Sequence, residues 1–332
     1  MKRAVVPLIL IAVVLVAVAV IAEAQQAGKI FRIGYLDGGT ASGIATVLLD
    51  AFRHELSKLG WIEGKNIAIE YRFAEQKLDR LPELAAELVR QKVELIVVNS
   101  VASASAAKSA TTTIPIVMAA GSDPVAAGLV ASLARPGGNV TGLSGLASEL
   151  NTKRLEILKD AVPKLVRVGL LRQPGGGNIG LDLQLKKLRA AASALKLKFE
   201  EIDIQTDPKG LESAFKTAKQ KQVGAIMTTA ARRFEDERKR IAELATKYRL
   251  PAIYPQKEFV EAGGLMSYGT DLADLYRRAA VYADKILKGA KPADLPVQQA
   301  TKFEFVISLK AAKQIDLTLS PEFLSRANKV IK

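Results

Sequence analysis

The segment RIGYL at residues 32–36 returns as RVGLL at 167–171, an offset of 135. IPIVM at 114–118 is echoed by LPAIY at 250–254, an offset of 136, and VELIVVNSVAS at 93–103 by VGAIMTTAARR at 223–233, an offset of 130. Each copy is a short apolar run of strand type, and the stretches between have helical spacing. Residues 44–59 set Val47, Leu48, Ala51, Phe52, Leu56 and Leu59 on one side. Gly60 ends that helix, with Trp61 placed to fold back as the contact of a C-cap. Ile67, Ile69 and Tyr71 alternate as a strand, and Pro82 falls in the first turn of a helix over 81–89. Strand and helix alternating in this way imply parallel sheets with crossover helices. Because the pattern runs twice, the expected fold is α/β with two doubly wound parallel-sheet lobes joined by a hinge, and a ligand cleft between them. The chain is long enough for this, with 332 residues of which 49% are hydrophobic. The seam is expected in NVTGLSGLAS (139–148). A helix over 271–287, a strand over 302–307 and a short last helix follow the second pattern, so the chain crosses between lobes more than once.

In doubly wound sheets, ligands bind beyond the carboxyl ends of the strands, where helix N-termini present unpaired N–H groups. Asp37, Gly38, Gly39 and Thr40 follow the first strand; Ser100, Val101 and Ala102 follow the third; Ser122 and Asp123 follow the fourth. Their counterparts in the second lobe are Gln173, then Thr228 with Thr229, then Tyr254. This set is small, hydroxylated and nearly uncharged. It suits a carboxylate held by N–H and O–H donors, with an apolar body in the cleft. Asp37, Asp123 and Asp271 are candidates to pair with an ammonium, and Tyr254 and Tyr268 to flank a side chain. Tyr35 lies inside a strand and is expected to pack in the core. Asp123 before Pro124 reads in two ways, as N-cap and first residue of a helix or as a polar contact to ligand. An aromatic or branched amino acid is the leading ligand. No arginine stands among these first-lobe strand-end residues to grip a second negative charge.

Catalysis has little to work with. The chain has no cysteine, and its one histidine, His54, stands mid-helix beside Glu55. That leaves no common nucleophile–base pair and no zinc set. GGTASG (38–43) lacks the dinucleotide-binding spacing. The expectation is binding without catalysis, without metal or cofactor.

The chain opens like an exported protein. Lys2 and Arg3 precede an apolar run over 5–21, and Ala22-Glu23-Ala24 is a cleavage signal of A-x-A type. Cleavage after Ala24 is expected, an uncleaved anchor being the alternative. A chain without cysteine has no thiol for a lipid anchor. The formal net charge is +14. Nucleic acid is not the expected partner, because the bases are interleaved with acids, as in RRFEDERKR (232–240), which reads as a solvated helix face.

Several segments carry a family likeness: FRIGYL (31–36), FRHELSKLGWIEGKNIAIEYR (52–72), SDPVAAGLVASLARPGGNVTGLS (122–144), GGLMSYGTDLADLYRRAAVYADKILKGAKPADLPVQQATKFEFVISLKAAK (263–313) and RANKVI (326–331). The chain resembles the substrate-binding proteins of ABC transporters, in the subgroup with tryptophan- and tyrosine-type binding proteins. The resemblance covers essentially the whole chain beyond the leader. It implies a type I periplasmic binding fold with three crossovers: a leader over 1–24, a first lobe of 28–142 plus 271–299, and a second of 143–270 plus 300–332. Hinges are expected near 142–145, 269–271 and 300–302. It also implies a periplasmic protein that delivers a small solute to an ABC permease in the inner membrane with its ATPase. A sensory module that presents ligand to a membrane receptor is the alternative, and an exported enzyme the third reading. The family's commoner pattern has a small residue and an aromatic after the tyrosine, where this chain has Pro255 and Gln256. The loop QPGGGN (173–178) is unusually glycine-rich.

Overall fold

The computed structural model describes residues 29–173, 179–205, 207 and 209–332. The leader and residues 174–178 of the glycine-rich loop lie outside the described residues. The first sheet is built from β1 (Phe31–Asp37), β2 (Ile67–Phe73), β3 (Leu95–Val98), β4 (Ile116–Gly121) and β5 (Val140–Ser144). The helices between them are α1 (Ile44–Lys58), α2 (Leu81–Arg90) and α3 (Val101–Ala110). The second unit repeats the scheme. Its helices are α4 (Ala147–Ala161), α5 (Ile179–Ala194), α6 (Gly210–Gln220), α7 (Arg232–Asp236), α8 (Arg238–Lys247) and α9 (Glu258–Glu261). Its strands are β6 (Arg167–Arg172), β7 (Lys198–Asp203), β8 (Ala225–Thr228), β9 (Ala252–Tyr254) and β10 (Met266–Thr270). The tail adds α10 (Leu272–Leu287), β11 (Gln298–Gln299), β12 (Phe303–Ser308), α11 (Leu309–Gln314), α12 (Pro321–Ser325) and β13 (Lys329–Ile331).

Strand order is β11-β5-β4-β3-β1-β2 in one sheet and β13-β12-β10-β9-β8-β6-β7 in the other. The two sheets therefore share the order 2-1-3-4-5, in which the third strand reverses the direction of winding and opens a crevice beside the first. The sequence repeat maps onto this order. RIGYL lies in β1 and RVGLL in β6, both central to their sheets, and the other repeated segments run into β3 and β8 and into β4 and β9. Among the described residues every strand pair is parallel except β10 with β12.

Alternation along the strands feeds two layers per sheet. Ile33 and Tyr35 of β1 point to the side covered by α1 and α10, while Leu36 joins α2 and α3 on the other. In the second sheet α4, α5, α11 and α12 cover one face, and α6 and α8 the other. So α10, which follows the second lobe in sequence, returns to complete the core of the first. Helix α1 ends as its sequence suggests: Gly60 at φ 92 donates to the Ser57 carbonyl, and the Trp61 N–H to that of Leu56. The Trp61 ring lies edge-on to Phe31 at 5.2 Å, and its Nε1 donates to Asp284 of α10 at 2.8 Å.

Chain crosses between the sheets at 145–146, at Asp271 and at 300–302, each a short step from the end of one sheet to an element of the other. Two glycines stand beside these steps under tight contact. A Cβ on Gly142, at φ 122, would lie 2.3 Å from the Met118 carbonyl oxygen, and one on Gly269 would lie 1.7 Å from that of Pro255. No helix among the described residues is long and apolar enough to cross a membrane.

Candidate ligand-binding site

A cavity of about 240 Å³ lies between the carboxyl ends of the two sheets, lined from both lobes. The first lobe supplies Asp37 and Gly38 beyond β1, Gln76 and Leu78 beyond β2, and residues 99–102 at the β3–α3 corner. It also supplies Ala120 and Ser122 at the end of β4, Leu48 of α1, and Leu272 and Tyr276 of α10. The second lobe supplies Ala147, Gln173, Gln184, Ala230, Ala231, Arg233, Glu235 and Gln256. Binding cavities for drug-sized molecules run to about 300–1,000 Å³, so this one is scaled to a single small solute.

The first-lobe corner is built by backbone geometry. Asp37 ends β1 with no exposed surface; its carboxylate accepts the Gly39 N–H at 2.7 Å and the Tyr35 hydroxyl at 2.9 Å. That hydroxyl also lies 3.0 Å from the one on Tyr276. Ser100 caps α3 by accepting the Ser103 N–H at 3.2 Å. The next two residues, Val101 and Ala102, therefore head a helix at the cavity wall, where the first N–H groups have no partner within the helix.

Of the residues expected from sequence, Asp37, Gly38, Ser100, Val101, Ala102, Ser122 and Gln173 line the cavity. The others stand elsewhere. Gly39 and Thr40 lie just beyond the wall, and the Thr40 hydroxyl donates to Asp236 of α7 at 3.3 Å. Thr228 and Thr229 are buried under the second sheet's end. Tyr254 is wholly buried, stacked on Phe259 at 4.5 Å between centroids, and burial pushes its hydroxyl pKa upward. Tyr268 packs against Phe303 and Phe305. Asp271 caps α10 by accepting the Asp274 N–H at 2.9 Å, and lines an adjoining cavity of about 110 Å³.

Asp123 caps no helix. Its φ is +45, and residues 124–128 form turns that Gly128 closes at φ +68. Leu129 and Val130 are then drawn into the core under α3, which stops the turn from propagating. The Asp123 carboxylate instead accepts the Ser148 hydroxyl of α4 and lies 3.5 Å from Lys187 Nζ of α5. It ties one lobe to the other beside the cavity.

The charged run at 232–240 is a solvated face only in part: Lys239 and Arg240 are exposed, but Phe234 and Glu235 before them turn inward. Phe234 is 1% exposed in the second lobe's core, which turns Glu235 inward, where it accepts Gln256 Nε2 at 2.8 Å. Arg233 gives Nε to Glu237 at 2.8 Å and Nη2 to the Gln205 carbonyl at 2.9 Å. Its Nη1 is buried and has no hydrogen-bond partner among the described residues. Asp236 reaches across to Gln76, whose Nε2 donates to it at 2.5 Å. The signal for this inversion is Phe234 itself, one large apolar side chain inside a run of charges. Gln184 and Tyr276 carry no comparable signal, since each sits on a helix surface that only the opposite wall turns into a site.

Residues 46–331 match the profile of the ABC transporter substrate binding protein family. The chain belongs to that family. ABC substrate-binding proteins bind small solutes outside the cytoplasm and work with ABC transporters. This one is similar to a tyrosine-binding protein of Clostridioides difficile (strain R20291), 29% identical over 266 residues, spanning 80% of this chain and 75% of that protein. Among solved structures it resembles an ABC domain from Streptococcus pneumonia in complex with L-Trp, with TM-score 0.81 and 25% identity over 91% of this chain and all of the other. It also resembles the ligand-free, open structure of a substrate binding protein with adhesive properties from Clostridium difficile, with TM-score 0.65 and 27% identity over 91% of this chain and 99% of the other. At similar identity, the fit is better to the ligand-bound relative than to the open one. The contacts of Asp236 and Asp123 across the cleft agree with that: this substrate-binding protein is described with its lobes together.

Proposed function

We propose that this protein binds an amino acid in the cavity between its lobes, with an aromatic or branched one the leading ligand, and delivers it to an ABC permease with its ATPase. The observation that carries the reading is the charge pattern of the cavity: Asp37 and Glu235 suit an ammonium, and Arg233 Nη1 with the donors at Ser100, Val101, Ala102 and Ser122 suits a carboxylate. The apolar remainder of the wall, with Leu48, Leu78, Leu272 and the Tyr276 ring, takes the side chain. The relatives described above as tyrosine-binding and L-Trp-bound support the same class. The lobes move as 28–142 plus 271–299 and 143–270 plus 300–332. The protein binds without turnover, and works in a periplasm after cleavage behind Ala24.

A thermal-shift panel tests this. A ligand at a hundredfold excess over its Kd adds about 2.7 kcal/mol, which for lobes of this size raises Tm by roughly 5–10 °C. Amino acids, aromatic acids, dicarboxylates and sugars are compared on protein stripped of ligand. Aromatic or branched amino acids shift the transition. A shift by sugars or dicarboxylates alone defeats the reading.

A further inference from the structure

Arg154 of α4 is the largest fully buried side chain in the molecule among the described residues, 1% exposed, and no carboxylate among them lies within ion-pair distance of it. Its Nη1 donates to the Tyr268 carbonyl at 2.8 Å, its Nη2 donates to Asn151 Oδ1, and its Nε has no partner. Burial lowers its pKa to about 9, which still leaves it charged at neutral pH. A buried cation held only by neutral groups is costly.

The hydrogen bonds run in a forced direction. A guanidinium has donors and no acceptor. Asn151 must therefore turn its oxygen to Arg154 and its amide nitrogen away. That nitrogen donates to Gln184 Oε1 of α5 at 2.8 Å. Gln184 thus turns its oxygen to Asn151, which leaves its NH2 as the donor on a side chain that lines the cavity. Two amides that could each point either way are set by one arginine so that this wall offers hydrogen-bond donors, backed by an unneutralised positive charge.

We infer that Gln184 donates to the carboxylate of the bound amino acid, and that Arg154 is a positioning residue which sets the Gln184 amide through Asn151 and favours an anion there. This rests on the amino-acid reading and adds to it the second lobe's share of the carboxylate grip. The ligand's ammonium then faces the carboxylates elsewhere in the cavity, so that a free amino acid is distinguished from one whose carboxyl group is blocked.

The test is the affinity ratio of L-tryptophan to L-tryptophanamide, and of L-leucine to L-leucinamide, by isothermal titration. Wild-type protein prefers the free acids by about tenfold or more. Gln184→Glu, which puts an acceptor where the NH2 stood, lowers that ratio by about tenfold or more. Arg154→Met releases both amides and lowers it by several-fold, and Arg154→Lys, which keeps a donor-only cation, restores part of it. A merely structural arginine would change both affinities alike. If Arg154→Met does not fold, Gln184→Glu and Arg154→Lys decide the matter. A ratio in Gln184→Glu within twofold of wild type overturns the inference while leaving the amino-acid reading intact. Failure of every amino acid to bind wild-type protein overturns both.

Discussion

Asp236 on α7 accepts the Gln76 side-chain N–H at 2.5 Å, joining the second lobe to the β2–α2 loop of the first at the cavity mouth. A charge-assisted hydrogen bond that forms only when the lobes meet stabilises the closed state without contributing to either lobe alone. Asp236→Ala should therefore raise the ligand dissociation rate by about 3–10-fold, the effect of losing roughly 1 kcal/mol. The Tm of unliganded protein should stay within about 1 °C of wild type. Stopped-flow displacement measures the first and calorimetry the second. An unchanged dissociation rate would mean that the contact does not hold the lobes together.

Asp37, Asp123 and Asp271 are all candidates from sequence for an ammonium's partner, and the first two stand in different surroundings. Asp37 lines the cavity, its carboxylate held by the Gly39 N–H and the Tyr35 hydroxyl, whereas Asp123 stands beside the cavity and is engaged by Ser148 and Lys187 of the other lobe. Asp37→Asn should weaken amino-acid binding about tenfold or more, while binding of the same ligand without its amino group changes little. Asp123→Asn should weaken both ligands equally, by about threefold or less, because it acts on closure. Titration of both variants with L-tryptophan and its deaminated analogue discriminates. Equal losses for the two ligands in Asp37→Asn would remove it from the ammonium's place.

Tyr254 has no exposed surface, and its hydroxyl has no hydrogen-bond partner among the described residues. A buried hydroxyl that makes no bond costs free energy. Tyr254→Phe keeps the stacking on Phe259 and removes that cost. Its Tm should equal or exceed that of wild type, by up to about 3 °C, with ligand affinity unchanged. A clear loss of affinity would return Tyr254 to the ligand's surroundings.

Gly269 and Gly145 both stand beside crossings, under unlike constraints. A Cβ on Gly269 would collide with the Pro255 carbonyl, whereas one on Gly145 meets nothing nearer than 3.7 Å. Gly269→Ala should cost about 1–3 kcal/mol from overpacking, seen as a fall in Tm of roughly 3–10 °C. Gly145→Ala should be near neutral in stability, within about 0.5 kcal/mol. Thermal denaturation of the unliganded variants measures both. Equal stability would mean that β9 and β10 shift apart at little cost.

The sequence by itself determined the double α/β pattern, since RIGYL and RVGLL, each in a long apolar–helical alternation, can bury their side chains only as central strands covered on both faces. It also determined the end of α1, where Gly60 and Trp61 satisfy the last carbonyls locally, and the first-lobe corner at Asp37 and Ser100–Ala102, because residues past a strand end must lie at the crevice. Local signals of this kind act within a few residues. They failed at Asp123-Pro124, where the burial of Leu129 and Val130 outweighed the helix-starting dipeptide, and at 232–240, where Phe234 rotated a charged run so that Glu235 faces inward.

Only the tertiary structure decided what stands opposite each strand end. It returned α10 to the first lobe, which puts Tyr276 at the cavity, and it set Gln184, Arg233 and Gln256 against Asp37 across the cleft. It kept Thr228 and Tyr254 from the wall by burying them, and Tyr268 by packing it, half-buried, against Phe303 and Phe305. The physical reason is that a strand end constrains where its own backbone stops, whereas the facing wall depends on how the two lobes meet. Contacts such as Gln76 with Asp236 join residues 160 positions apart, and no local pattern encodes them.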